Sequence, residues 1–465
     1  MIWVIASKEI RESFHSLRFA MALLMVGVLG SVTGHQLVAA HHEAQAAYAA
    51  DMAASAESLR SMNQVEQMQN IGLSVNRRPE VLKVLCHGMD EAIPRSVTVG
   101  TWVPMQTSTG LLQDQPLERM LGQVDGTYFV LVVLSVVALL LSYDAICGEG
   151  EQGTLRLMLV GSVARDQVVI GKLLGRLCVL LCPFGCFVLV LLAFLSVLPD
   201  AHLGSEEVAR LLVWSFVSLL YLSSLLAMGV LVSVHVRNSF ESILLLLLAW
   251  SVLVWGVPRA SGMASMGRVS TLGELASDRD EWMQAQIEQA ARAVGMDPSR
   301  PSNDQPAEAR QQLQNRLEAL KGALRQYDWD QTETFLADIG QRLRLLQRLT
   351  GWSPATAYFF ASSALARTAW EDEVGFLRAL TIYHRSVNAF SQRKKEERNE
   401  IGRAHGFDLD VMDAFDFKTG MPAFAYPTRS LAQACEDLLL HVLVLVLWNV
   451  VLFLATYVSF LRRDV

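Results

Sequence analysis

Two carboxylates two residues apart, Glu149 and Glu151, sit in the run Gly148-Glu-Gly-Glu-Gln-Gly153-Thr154. Paired acids at this spacing can divide general acid and base work or hold a hard cation. No histidine stands near them in the chain, and the residues favour a simpler use, as acidic contacts for basic groups. Cys178, Cys182 and Cys186 fall at four-residue steps, so a helix places all three on one face. Aligned thiolates suit copper or another soft metal. Cysteine is also a small apolar residue that packs well between membrane helices, and that use is the commoner one.

His41-His42 with Met52, Met62 and Met68 offers a second soft-metal surface, against which stands ordinary helix packing. Cys86 and Cys435 could close a disulfide in an oxidising compartment, although spacing fixes no geometry. His235, Arg237 and Glu241 gather near a turn without making a catalytic cluster. The phosphate-cradling pattern G-x-x-x-x-G-K-[ST] does not occur, because Gly171-Lys172 lacks the upstream glycine and is followed by Leu173. The chain does not cradle ATP in that way by itself.

Membrane helices must position these residues. Hydrophobic residues fill 52% of 465 positions and charged residues 18%, with a mean hydropathy of +0.30, more apolar than a soluble core needs. A bilayer core about 30 Å thick takes roughly 20 apolar residues per helix. Six stretches qualify, 19–38, 127–142, 173–198, 211–234, 241–257 and 438–461, of which the second and fifth are short. The expected fold is an all-α polytopic membrane protein with six transmembrane helices.

Basic residues set its orientation. With the N-terminus in the cytoplasm, the short cytoplasmic segments carry Lys8, Arg11, Arg18, Arg156, Arg165, Lys172, Arg237, Arg462 and Arg463. The short opposite loop, 199–210, has Arg210 against Asp200, Glu206 and Glu207. The positive-inside rule then places both termini in the cytoplasm. Val38-Ala39-Ala40 has the form of a signal-peptidase site, but the first stretch is expected to remain as a span. Pro183 and Gly185 interrupt the third span and permit a kink or a close helix contact; routine curvature is the commoner outcome.

Two long insertions fall outside the cytoplasm, 39–126 and 258–437. The first opens on the Ala-rich stretch 39–56, which should prolong the first membrane helix, and Ser96-Val97-Thr98-Val99 alternates like a strand. In the second, Leu313, Leu317, Leu320 and Leu324 recur at helical spacing. After a capping box at Asp330 to Glu333, Phe335, Ile339, Leu343 and Leu346 do the same. These predict a pair of antiparallel helices. Ser353-Pro354 marks another helix start, and 393–398 is a mixed-charge run on a solvated helix. Over 258–437 there are 22 basic and 25 acidic residues, no footprint for nucleic acid.

The order of elements resembles the ABC type 2 permeases, the membrane subunits of one class of ATP-binding-cassette transporters. Ile5-Ala-Ser-Lys-Glu-Ile-Arg-Glu-Ser-Phe with Leu17-Arg18-Phe19 looks like that family's amphipathic helix at the cytoplasmic surface, here 1–18. Glu149-Gly-Glu-Gln-Gly-Thr154-Leu, then Ser162-Val-Ala-Arg165 and Gly171-Lys172, is similar to its coupling loop, here 143–172. Arg78-Pro79-Glu-Val-Leu with Gly88 and Ile93-Pro94-Arg95 resembles a subgroup with a large external insertion, which includes permeases used in copper-site maturation and in gliding. The insertion 258–437 departs from the minimal family pattern.

The resemblance implies a permease that exports a substrate across the inner membrane while a separate ATPase dimer hydrolyses ATP with Mg. It implies a second permease copy or paralogue, contact with membrane lipid, and no cofactor on this chain. Glu149, Glu151, Gly153, Thr154, Arg156, Arg165 and Lys172 become ATPase-coupling residues. The acids would meet basic groups of the ATPase, the basic residues its acids or lipid phosphates, the glycines would allow tight turns and Thr154 would cap the following turn. The plainer alternative is a cytoplasmic loop that merely obeys the charge rule. A second function is a mechanotransmission complex that uses ATP to drive a periplasmic partner, as in cofactor or metal-site maturation.

Overall fold

The computed structural model describes residues 1–62, 73–89, 96–99, 106–107, 124–154, 164–198, 204–258, 272–295, 307–404, 416, 418–426 and 428–462. Met68, Arg156, Asp200, Arg463 and the motif Ile93-Pro94-Arg95 lie outside the described residues. Among the described residues six helices are long and apolar enough to cross a membrane, which makes this a multi-pass membrane protein.

Helix α1 (Ile2–Phe14) ends at a break, and α2 (Leu17–Ser61) restarts where the Ser16 hydroxyl accepts a hydrogen bond from Phe19 N at 3.2 Å. With no proline to stop it, α2 runs for 45 residues, about 68 Å at the helical rise, far beyond the apolar stretch 19–38. Its buried residues, Phe19, Ala22, Val26, Gly30, Thr33, Leu37, His41 and Ala44, recur every three or four positions, so one stripe faces the bundle. Met62, at its end, is buried in a second core with Leu73, Val75, Val97 and Phe376.

That second core is covered by a small antiparallel sheet. β1 (Leu73–Asn76) pairs with β2 (Ser96–Val99), with Val75 opposite Val97, and β2 pairs with β3 (Gln106–Thr107). The second span, α3, covers 126–142 as Gly126–Tyr128, a π-helical Phe129–Leu134 and Ser135–Ser142. A five-residue helix, α4 (Cys147–Glu151), follows. The remaining spans are α5 (Arg165–Val197), α6 (Ser205–His235), α7 (Ser239–Ser251, continued by the π turn Val252–Gly256) and, at the C-terminal end, α12 (Leu431–Arg462).

Between α7 and α12 lie α8 (Leu272–Ala293), α9 (Ala307–Thr350), α10 (Pro354–Leu365) and α11 (Trp370–Ala404). The expected antiparallel pair within 313–346 is instead one helix of 44 residues. No Gly or Pro separates Leu324 from Phe335, and Asp330 sits inside the helix, its carbonyl accepting from Thr334 Oγ1 at 2.7 Å. Helix α9 packs instead against α8, where Trp282 stacks on Tyr327 at 4.7 Å.

Helix α10 belongs to the bundle rather than to a separate external domain. Ser353 and Pro354 start it as the sequence predicts, yet all twelve of its residues are buried. Tyr358 stacks on Tyr221 at 4.9 Å and hydrogen-bonds Ser218 at 2.9 Å. Tyr221 lies sixteen residues into α6, roughly 24 Å from its start, so α10 reaches deep between the spans. A helix without a charged side chain, built mainly of Ala, Ser, Thr and aromatic residues, can be buried on every side.

Candidate functional site

The connector between α3 and α5 is held at every turn of its described part, 143–154. Ser242 Oγ on α7 donates to Tyr143 O at 2.6 Å. Ser233 Oγ on α6 accepts from Ile146 N at 2.9 Å and Cys147 N at 3.0 Å, satisfying donors that a helix start leaves without intrahelical partners. Glu151 accepts from Ser239 N at 2.6 Å and from Ser239 Oγ at 3.0 Å. Its carboxylate thereby caps the first turn of α7 and meets the positive end of that helix. Beneath the connector, Ala145, Ile146, Val168, Val230, Val234 and Phe460 form a separate apolar core.

Charge then locks the connector to α1 and α5. The fully buried Lys172 Nζ lies 2.7 Å from Glu9 Oε1 and 2.9 Å from Glu149 Oε1. Arg176 Nε lies 3.2 Å from Glu9 Oε2, while its Nη1 reaches Asp144 Oδ1 at 3.1 Å and the Leu141 carbonyl. Asp144 also takes Arg18 at 2.6 Å, and Glu149 takes Lys8 at 3.4 Å. Burial opposes ionisation of Glu9, but Lys172 and Arg176 outweigh it and hold the carboxyl below the usual range. Partial burial likewise pulls the Lys8 ammonium down, and Glu149 and Glu12 outweigh it.

Backbone shape makes this network reachable. Gly171-x-x-x-Gly175 gives α5 a flat strip, on which a Cβ at Gly171 would stand 2.8 Å from Ile5 Cβ, and one at Gly175 2.8 Å from Glu9 Cβ. Small residues at this spacing let helices approach backbone to backbone. Helix α1 therefore turns Ala6 and Glu9 inward and leaves Trp3, Val4 and Phe14 exposed. Glu9, on the amphipathic helix expected at the cytoplasmic surface, thus faces α5 rather than solvent. Phe14 and Trp3 remain available to a membrane interface.

Several expected site residues meet partners inside the chain. Glu149 and Lys172 were expected to face other molecules, yet they pair with each other, because α5 begins at Arg165 and carries Lys172 within its third turn. Arg165 donates to the carbonyls of Phe460 at 2.9 Å and Leu461 at 2.7 Å, a cation at the negative end of α12. Gly153 adopts φ +72° and turns the chain after α4. Thr154 Oγ1 donates back to Glu149 O at 3.3 Å, and the turn it was expected to cap lies outside the described residues. Arg156 falls outside the described residues.

Glu9, Asp144 and Arg176 escaped the sequence reading as partners. Their signal was available: two basic residues four apart in the first turns of a membrane helix need anions close by, and a GxxxG strip beside them marks where a helix can bring one.

The sulfur-rich candidates do not gather. Cys178, Cys182 and Cys186 are half-buried along α5, and among the described residues no group of three His, Cys, Asp or Glu side chains is placed to hold a metal. Met62 is core and Met52 is exposed. Cys86 and Cys435, which could have closed a disulfide, are free thiols, the first buried against Thr368 and Gly88 and the second packed on the main core. His235 hydrogen-bonds Leu231 O at 2.9 Å and Glu241 takes Asn238 at 3.1 Å, each satisfied locally.

At the opposite end of the bundle a second set of charges ties the spans to the insertions. Arg210, fully buried on α6, donates to the carbonyls of Ala364, Leu365 and Arg429 and pairs with Glu206 at 3.1 Å. Arg367, held at φ +59°, bridges Glu206 at 3.1 Å and both Glu207 and Glu80 at 3.5 Å. The C-terminal end of α10 is thus gripped from two sides.

The family model described as ABC-2 family transporter protein matches residues 3–465. The probable ABC transporter permease protein NosY of Stutzerimonas stutzeri is 37% identical over 98 residues, 20% of this chain and 32% of that protein. Its namesake in Pseudomonas aeruginosa is 45% identical over 65 residues, 13% of this chain and 24% of that protein. The probable multidrug ABC transporter permease YbhS of Escherichia coli is 30% identical over 118 residues, 24% of this chain and 28% of that protein. The chain spans about a third or less of the length of these curated relatives.

Proposed function

The chain belongs to the ABC-2 family of transporter proteins, and on that premise we propose that it is a permease subunit worked by a separate ATPase through the connector 143–172. In this reading the connector and both termini face the cytoplasm of the inner membrane. An ATPase dimer binds ATP with Mg and closes, and the connector moves with it. Two permease copies, or this chain and a paralogue, frame the path of an exported substrate.

One observation carries the reading. Residues 143–154 are bonded to α1, α5, α6 and α7 at once, so force applied to α4 reaches four helices without passing through a soft loop. A rigid junction of this kind is what a transmission element requires. The test replaces Glu149 or Glu151 with Lys in the complex purified with its ATPase. Loss of ATPase association, or ATP hydrolysis that no longer responds to the permease, is expected. Wild-type assembly and coupling in both variants would remove the connector from the mechanism.

The grip on α10 favours a second use of the same force. Because α10 is buried among the spans and joins the long helices α9 and α11, tilting of α6 and α12 would swing those helices. An external partner, such as a periplasmic protein whose cofactor or metal site is being matured, could be driven this way without passage of a substrate. Loosening α10 from α6 by Tyr358→Ala separates the two: export that persists in the folded variant favours transport.

A further inference from the structure

Beside α10, at the end of the bundle away from the termini, lies a cavity of about 500 Å³. Arg344 and Arg348 of α9 line one wall, Leu440, His441 and Val444 of α12 the other, and Trp352 and Phe360 the inner end. His441 stacks on Phe360 at 5.5 Å, making that end aromatic.

Depth within the membrane follows from one hydrogen bond. Trp448 Nε1 on α12 donates to Trp352 O at 2.6 Å, which sets the end of α9 beside the middle of a span. Counting outward at about 1.5 Å per residue, Arg348 lies roughly 6 Å and Arg344 roughly 12 Å nearer the surface. They stand level with Val444 and Leu440, just inside the last acidic residues of α12, Glu436 and Asp437. Leu345, Leu349 and Trp352 are exposed on the same end of α9, as are Leu440, Leu443 and Leu447 on α12. The two arginines therefore rise from an apolar, lipid-facing surface to headgroup depth.

Their charges are not balanced by the protein. Among the described residues neither guanidinium forms an ion pair, and they sit four apart on one helix face, an unfavourable like-charge spacing. Of the two carboxylates in the cavity lining, Asp437 is held by Arg429, which leaves Glu371 against both arginines. Charged groups at membrane depth need anions, and long arginine side chains reach toward phosphates to find them.

We propose that this cavity holds one bilayer phospholipid, its phosphate between Arg344 and Arg348 and an acyl chain along Leu440 and Val444 toward Trp352 and Phe360. Guanidinium and phosphate geometry match in two-pronged pairs. The lipid would cushion the hinge between α9 and α10. The site is independent of ATPase coupling, and the chain alone suffices to test it.

The delipidated chain is titrated in detergent with phosphatidylglycerol, or with diacylglycerol of the same chains, and bound copies are counted by native mass spectrometry. One phosphatidylglycerol should bind about tenfold more tightly than diacylglycerol, the scale of one charge-assisted hydrogen bond. R344Q/R348Q should fall to the diacylglycerol level, whereas R11Q/R60Q, at exposed arginines elsewhere, should not. L440E, at an already exposed position, should expel the lipid without lowering the unfolding midpoint, so the result does not hang on the double variant folding. Equal binding of the two lipids, or wild-type affinity in folded R344Q/R348Q or in L440E, would overturn the site.

Discussion

Lys172 Nζ, with no exposure to solvent, lies 2.9 Å from Glu149 Oε1, so this carboxylate of the connector is spent inside the protein, on the span that follows it. Glu9 completes the clamp from α1 at 2.7 Å. The connector, the N-terminal helix and the third span consequently behave as one block.

Breaking the clamp on one side should be costly. Lys172→Met leaves Glu9 with Arg176 alone and Glu149 with Lys8 alone, a loss of up to about 3–5 kcal/mol. A lowered unfolding midpoint in detergent reports it. Adding Glu9→Gln should restore part of the loss, since removal of both partners spares the uncompensated charge. A double variant as unstable as the sum of the singles would deny the pairing.

Close approach of α1 to α5 predicts a graded glycine series. Gly175→Val should push Glu9 away and destabilise by about 1–3 kcal/mol, with faster trypsin cleavage at Arg11. Gly185, on the same helix, has nothing within 4 Å of a built Cβ, and Gly185→Ala should be neutral or slightly stabilising. Equal effects at the two positions would show that helix propensity, not contact, dominates.

Asp372, at the start of α11, is pushed up to about 6 by burial, against the pull of Arg429. Its Oδ2 is buried without a hydrogen bond. A carboxyl with a folded value above its unfolded one binds more protons when folded, so stability falls as pH rises from about 4 through 6 and stays lower above that. Asp372→Asn should therefore stabilise the protein at pH 7.5, by at most about 3 kcal/mol, and change little at pH 4. Unfolding midpoints at the two pH values decide it; a pH-independent effect would point to packing instead.

Tyr358 joins α10 to the fourth span through ring stacking and a hydroxyl bond. Tyr358→Phe keeps the stack on Tyr221 and loses the bond to Ser218, about 1 kcal/mol. Tyr358→Ala opens a cavity in the bundle and should cost about 3–5 kcal/mol. Limited proteolysis of α9 and α11 should accelerate in the second variant only. Matching proteolysis in both would mean that α10 is not held by this residue.

The sequence by itself determined what solvent and chain chemistry dictate locally. Runs of apolar residues as long as a bilayer is thick can settle only as spanning helices, so six membrane helices were legible, as were the strand Ser96–Val99 and the helix start at Ser353-Pro354. The family resemblance rested on the same local runs, above all 149–172. Boundaries were less legible: α5 begins at Arg165 because a helix does not stop where hydrophobicity stops.

Tertiary structure decided who meets whom. Whether Lys172 faces a partner protein or Glu9 depends on the distance between α1 and α5, which the Gly171 and Gly175 strip sets across 163 residues of chain separation. Whether α10 is external or embedded depends on Tyr221, Arg210 and Trp448, none near it in sequence. Periodicity tells which face of a helix is buried, whereas the identity of the surface that buries it is a property of the whole packed chain.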